Sequence, residues 1–272
     1  MTVSAFERAM NYVVLTVFAL VVLSPIVVVL KLALGPKDAA ASRQRTPIHP
    51  GNFPEAWKVG RFGEYMVTSL TVAVLVVVVA VSVSILAGYA LGTMRFRGAN
   101  VLLYVFLLGI MVPTEAIVVP LYFDLRSFRL TNTVWGVALP QIAMSIAFGT
   151  YWMRTYFRSA SRTLIDAARL DGAGSMRILW NILVPIGRPA ILTLVLLTFM
   201  WTWNEFLIPL VMSPNGTVRT APLGLAFFQG QYTQGTALLA AGAVIVALPV
   251  VVLYVVLQRH FIKGMLDGAV RE

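Results

Sequence analysis

Cysteine is absent from this 272-residue chain, and histidine occurs only as His49 and His260. Without thiols there is no disulfide framework and no thiolate metal site. Two imidazoles so far apart in sequence do not assemble a metal centre, so no resident metal is expected. Charge is also scarce: Asp, Glu, Lys and Arg make up 12% of the residues, against roughly 25% in ordinary soluble domains. No G-x-x-x-x-G-K-[ST] loop is present to cradle phosphates, so nucleotide hydrolysis is not expected in this chain. Internal repeats and low-complexity tracts are missing too. With no cysteine, two distant histidines and only isolated acids in its apolar stretches, the chain lacks the constellation that a membrane enzyme would need.

What is abundant is apolar sequence. Hydrophobic residues reach 59% and the mean hydropathy is +0.84, values that place the chain in a lipid bilayer. A helix needs about 20 apolar residues to cross the hydrocarbon. Six stretches meet that length: residues 12–34, 66–91, 101–123, 134–153, 190–212 and 237–257. The first follows Arg8 as a signal peptide would, but it is too long for a signal core and reads as an uncleaved span. The expected fold is all-α and integral to the membrane, a single transmembrane domain over 1–272 with six spans around a cavity. Prolines 25, 113, 120, 140, 209 and 249 fall within or beside these spans. Kinked helices around a cavity would explain them, and so would the general tolerance of proline in membrane helices.

The net charge of +10 comes from basic residues set singly in the loops. Anionic headgroups and positive-inside placement account for that pattern without nucleic acid. With both termini inside, twelve lysines and arginines fall on the cytoplasmic side and nine on the outer side. The bias favours cytoplasmic termini, and it puts the polar segment 153–188 on the cytoplasmic face.

Within that segment the run Leu164-Ile165-Asp166-Ala167-Ala168-Arg169-Leu170-Asp171-Gly172-Ala173 reads as a short helix. At about 100° per residue, Leu164, Ala167 and Asp171 share one face, and Arg162 and Arg169 lie on the other. Gly172 supplies the stop, since glycine accepts the left-handed conformation. Small side chains let such a helix approach a partner closely. An ordinary cytosolic hairpin is the competing reading from the residues alone.

Asp166-Ala167-Ala168, three residues, Gly172, nine residues and then Ile182-Leu183-Val184-Pro185 resemble the EAA motif of permease subunits of binding-protein-dependent ABC importers. Further ordered pieces are similar to the carbohydrate branch, the maltose-permease-G-like subunits: Tyr89-Ala90 with Arg95-Phe96-Arg97-Gly98, Met111-Val112-Pro113 with Pro120-Leu121-Tyr122, Trp203-Asn204-Glu205-Phe206, Pro222-Leu223-Gly224-Leu225, Gln258-Arg259-His260-Phe261 and Gly268-Ala269-Val270. The chain departs from the pattern at Asp166, where Glu is usual, at Val184, where Leu is typical, and at the acidic tail residues Asp267 and Glu272.

The resemblance implies a type I ABC importer permease in a prokaryotic cell membrane, with a cytoplasmic coupling helix between spans four and five. Leu164, Asp166, Ala167, Ala168, Leu170, Asp171, Gly172 and Ala173 would carry the contact with the ATPase. It also implies a second homologous permease, two ABC ATPase subunits that bind ATP and Mg, an external solute-binding protein and a carbohydrate substrate. An importer of a non-sugar solute, an ion-coupled secondary transporter and a channel are the alternatives.

Ionisable groups inside a span are functional candidates because burying them in lipid is costly. Glu115 and Glu205 stand out. Counted along continuous helices from the cytoplasmic end, both lie roughly 20 Å deep. Trp201, Trp203, Asn204 and Phe206 flank Glu205. Carboxylates and amides bond sugar hydroxyls, while aromatic faces cover sugar rings. The 201–206 stretch is expected to line the translocation route, with Glu115 opposite or nearby. Helix-to-helix anchoring by Glu205 and an interfacial tryptophan belt form the structural alternative.

Overall fold

The computed structural model describes residues 4–36, 48–231 and 236–269, and every regular element among them is helical. Residues 37–47 and 232–235 of two loops, and the tail residues Val270 and Glu272, lie outside the described residues. In chain order the helices are α1 (Ala5–Ala33), α2 (Asn52–Val59), α3 (Phe62–Thr93), α4 (Ala99–Met111), α5 (Thr114–Ser127), α6 (Val134–Ser159) and α7 (Arg162–Leu170). They are followed by α8 (Ser175–Ile178), a π-helical turn (Leu179–Leu183), α9 (Val184–Ile186), α10 (Arg188–Asn204), α11 (Leu207–Met212), α12 (Ala221–Gln231) and α13 (Thr236–Ala269).

Four of these, α1, α3, α6 and α13, are unbroken helices long and apolar enough to cross a bilayer. The third expected span, 101–123, is not one straight helix. It breaks at Val112-Pro113, and α4 and α5 meet at 99°. Proline disfavours the helical conformation in the residue before it, and Val112 is extended, with φ −77° and ψ 119°. The fifth, 190–212, is also interrupted: α10 ends at Asn204 and α11 begins at Leu207. Before α10 the chain bends again, by 79°, between Ser175–Ile186 and Arg188–Asn204. With each bent pair taken as one span the total is six.

Proline also accounts for the π-helical turn. A proline ring collides with the carbonyl four residues back and offers that carbonyl no N–H. Pro185 does this to Asn181, and the turn widens so that the Val184 N–H bonds the Leu179 carbonyl, five residues back.

Inter-residue contacts fall into two compact units, residues 1–64 with 224–248 and residues 65–223 with 249–272. In the first, Asn52 is buried and its Nδ2 donates to the carbonyls of Ala33 and Gly35, at 2.9 and 2.8 Å. These bonds satisfy carbonyls that the end of α1 leaves open. Phe62 is buried edge-on to Phe228, with ring centroids 5.8 Å apart.

The second unit has two apolar clusters. One joins Ile85 and Tyr89 of α3, Met153 and Phe157 of α6, Ile165 and Ala168 of α7, Leu179 and Leu183 of the π turn and Leu194 of α10. The other joins Val72 and Val76 of α3, Val118 and Leu125 of α5, Val137 and Ile142 of α6, and Ile208 and Met212 of α11. Close approach of α3 to α6 rests on Ser84, Gly88 and Gly92, spaced four apart on one face of α3. A Cβ on Gly88 would lie 2.6 Å from Met153 Cβ and 2.8 Å from Arg154 N, and one on Gly92 would lie 3.0 Å from Phe157 Cβ. Small residues at this period let membrane helices pack backbone to backbone.

Gly88→Val should therefore overpack the crossing at a cost of roughly 1–3 kcal/mol. A melt of the purified protein, followed by tryptophan fluorescence, should show a midpoint lowered by several degrees. Gly174→Ala, whose Cβ meets nothing within 4 Å, should leave the midpoint in place. Equal midpoints for both variants would refute the packing account.

Candidate functional site

The break between α10 and α11 builds the site. Pro209 stands four residues after Glu205, so the Glu205 carbonyl can receive no helical N–H and would meet the proline ring. Glu205 leaves the helix with φ −65° and ψ 126°. Its side chain then turns forward, and Oε1 accepts from the Ile208 N–H at 3.0 Å. That bond satisfies one of the donors left open at the start of α11. Oε2 makes no hydrogen bond among the described residues.

The far end of α11 is held by Asn132, which has φ +59°. Asn132 N donates to the Met212 carbonyl at 2.8 Å, its Oδ1 accepts from Asn215 N at 3.1 Å and its carbonyl accepts from Thr217 Oγ1 at 3.1 Å. Asparagine tolerates this backbone region better than most residues.

Beside the break lies a cavity of about 460 Å³, enough for a small solute. Trp201, Asn204 and Glu205 line it together with Leu197, Met200 and Ile208. Asn204 donates through Nδ2 to the Met200 carbonyl at 2.8 Å, which leaves its Oδ1 as an acceptor. The facing wall is α6, through Gln141, Met144, Ser145 and Phe148, a stripe with the i, i+3, i+4, i+7 spacing of one helical face. Gly109 and Ile110 of α4 and Thr202 of α10 complete the lining. Gln141 is only 5% exposed; its Nε2 donates to the Val137 carbonyl at 3.0 Å, while its Oε1 has no partner among the described residues. Phe148 meets Trp201 edge to face at 4.8 Å and stacks on Trp152 at 6.1 Å.

Not all the expected residues gather here. Trp203 is 2% exposed, stacks on Phe199 at 5.4 Å and is not among the residues that line the cavity. Phe206 and Glu115 do not line it either. Glu115 is an exposed residue in the first turn of α5. Equal depth for Glu115 and Glu205 does not follow from residue counts, because the 99° bend lies just before Glu115. What joins that turn to the cavity is Thr114, whose hydroxyl contacts Met144 Sδ at 3.8 Å. The α6 wall is not among the residues that the sequence pattern singles out. Its available signal was Gln141, the sole amide of its span, four residues before Ser145.

The 164–173 run forms a second feature. Helix α7 covers Arg162–Leu170 and ends in a turn with Gly172 at φ +78°. Ala173 N donates to the Ala168 carbonyl at 2.9 Å and Gly172 N to the Arg169 carbonyl at 3.0 Å, the pair of bonds of a Schellman motif. Ile165 and Ala168 face inward, and Ala173 packs on the same cluster. Leu164, Asp166, Ala167, Leu170 and Asp171 are exposed, Leu170 to 90%. Arg169 lies 3.8 Å from Asp166 in an exposed ion pair, worth little in water.

Residues 80–267 match the family described as binding-protein-dependent transport system inner membrane component. The chain is 35% identical over 223 residues to the probable ABC transporter permease protein YurM of Bacillus subtilis, covering 82% of this chain and 74% of that protein. It is 32% identical over 214 residues to the arabinooligosaccharides transport system permease protein AraQ of Halalkalibacterium halodurans, covering 79% and 76%. A solved structure of a bacterial ABC transporter involved in the import of the acidic polysaccharide alginate contains a chain with the same fold. Its TM-score is 0.77 at 24% identity, over 96% of this chain and 99% of that one.

Glu205→Ala removes the acceptor of the Ile208 N–H and should cost about 1 kcal/mol of stability. Glu205→Gln keeps a side-chain carbonyl there and should cost less. Thermal unfolding of the two purified variants checks this, and an alanine variant as stable as the native protein would contradict the capping role.

Proposed function

We propose that this chain, which belongs to the family of binding-protein-dependent transport system inner membrane components, is the permease subunit of an ATP-driven importer that carries a carbohydrate into the cell. Family membership sets aside the ion-coupled transporter and the channel. The carbohydrate assignment is supported by the similarity to an arabinooligosaccharide permease and by a cavity that pairs amide, hydroxyl and carboxylate groups with aromatic faces, the chemistry that sugars require.

The observation that carries the coupling role is α7. Its inward residues tie it to the apolar cluster, while Leu164, Ala167 and the 90% exposed Leu170 are left for something else to cover. On this reading a cytoplasmic ATPase receives that face. Two such ATPases, a second related permease and an external solute-binding protein complete the assembly, with ATP and Mg held by the ATPases. Both termini then lie in the cytoplasm. Closure of the ATPases on ATP displaces α7, turns the cavity outward to accept solute from the binding protein, and hydrolysis returns it inward. Glu205, Asn204, Trp201 and the α6 wall form this subunit's share of the route.

Purification of the assembled importer with its binding protein tests the function: one of a panel of arabinooligosaccharides, trehalose and maltose should stimulate ATP hydrolysis severalfold. Stimulation by none of them, with response to a non-sugar solute, would overturn the carbohydrate assignment. Ala167→Trp or Gly172→Val should uncouple uptake from hydrolysis or lose the ATPase, with the chain still inserted in the membrane. Uptake and ATPase assays on the same proteoliposomes read this directly, and full coupling in both variants would refute the role of α7.

A further inference from the structure

We infer that the cavity beside the α10–α11 break admits uncharged, hydroxyl-rich solutes and disfavours anionic ones, with Glu205 setting the sign. The inference rests on the reading of this cavity as part of the translocation route. Among the described residues that line it, Glu205 is the one charged side chain, and none is a lysine, arginine or histidine. The remaining polar groups are neutral: Gln141, Ser145, Thr202 and Asn204. Glu205 is fixed in place by the bond from the Ile208 N–H to Oε1, and Oε2 makes no hydrogen bond among the described residues. Thr114, which touches Met144 of the wall, is followed by a second acid, Glu115.

A phosphorylated or uronic solute entering this space meets the Glu205 carboxylate and, among the described residues that line it, no cation to pair with. Like charges a few ångströms apart in a partly desolvated site repel far more than in water, and a wrong-charge contact is an effective device for rejecting a competitor. A neutral sugar meets acceptors for its hydroxyls in Glu205 Oε2, Asn204 Oδ1 and Gln141, a hydroxyl in Ser145, and the ring faces of Phe148 and Trp201. The fold itself does not impose this choice. It follows from the side chains that this chain places on it.

The absence of cysteine makes the test direct. In the otherwise native importer reconstituted with its ATPases and binding protein, Ser145→Cys and, separately, Asn204→Cys place one thiol in the cavity wall. Each is reacted during ATP turnover with two methanethiosulfonates of similar size, the cationic trimethylammonium-ethyl reagent and the anionic sulfonato-ethyl reagent. Modification is read by the mass of this subunit's own peptide, and rates are normalised to those of a small thiol in water. The cationic reagent should be favoured, and adding Glu205→Gln should lower that preference on the order of tenfold. Reaction of the thiols with no charge preference, or with one that Glu205→Gln leaves unchanged, would overturn the inference and leave the route reading intact. Failure of both thiols to react with either reagent would instead remove the cavity from the route, and the inference with it.

Discussion

In a bilayer every backbone donor and acceptor must find its partner within the protein, and the placement of proline decides where this chain meets that demand by other than helical means. Pro209 denies the Glu205 carbonyl its usual bond, so α10 stops at Asn204. The carboxylate of the same residue then takes the Ile208 N–H, and a new helix starts. An interruption that would expose bare peptide groups to lipid instead becomes a polar wall facing a cavity, the setting in which irregular backbone is tolerated at membrane depth. Pro185 acts by the same steric rule and widens a turn, while Pro113 holds the preceding Val112 extended and bends the chain.

The rest of the second unit holds these interruptions steady. Hydrophobic burial cannot drive one apolar helix onto another inside lipid, so close packing must do it. Ser84, Gly88 and Gly92 let α3 press against α6, and the apolar cluster around Met153 and Phe157 extends from that crossing to α7, the π turn and the start of α10. A different cluster, with Val137, Ile142, Ile208 and Met212, holds α11 against α6 and α5. Helix α6 belongs to both, and its cavity stripe joins them: Met144 packs on the second cluster and Phe148 on the first.

Much of this was legible in the residues. Long apolar runs gave the spans, and Gly172 gave the end of α7 because a left-handed residue was needed there. The 201–206 stretch led to the cavity through Trp201, Asn204 and Glu205. Less legible was anything that depends on direction. Hydropathy averages over a window and cannot register a bend, so 101–123 read as one rod and Glu115 was given a depth that the 99° turn removes. Trp203 and Asn204 are neighbours in sequence, but successive helical residues point about 100° apart, and one packs on Phe199 while the other lines the cavity. The α6 wall is hidden for a related reason: Gln141 and Ser145 are neutral, and a neutral polar residue in a span carries no ionisable signal.

The route by which motion would travel follows from which elements share a cluster. Ile165 and Ala168 of α7 pack in one group with Phe157 and Met153 of α6 and Leu194 of α10. From Phe157 back to Gln141 along α6 is about 24 Å, and from Leu194 to Glu205 along α10 about 16 Å, at 1.5 Å per residue. Both helices are continuous over those lengths, α10 up to its end at Asn204. On the proposed reading, a force applied to the exposed face of α7 acts on two stiff rods at once, and each carries a wall of the cavity at its far end. Rigid secondary elements with a shared packed base are a physical carrier of coupling. Beyond Asn204 the rod is broken, and α11 is anchored instead to α5, α6 and Asn132. On the same proposed reading the relative movement concentrates at Glu205, the residue whose side chain spans the break and lines the cavity.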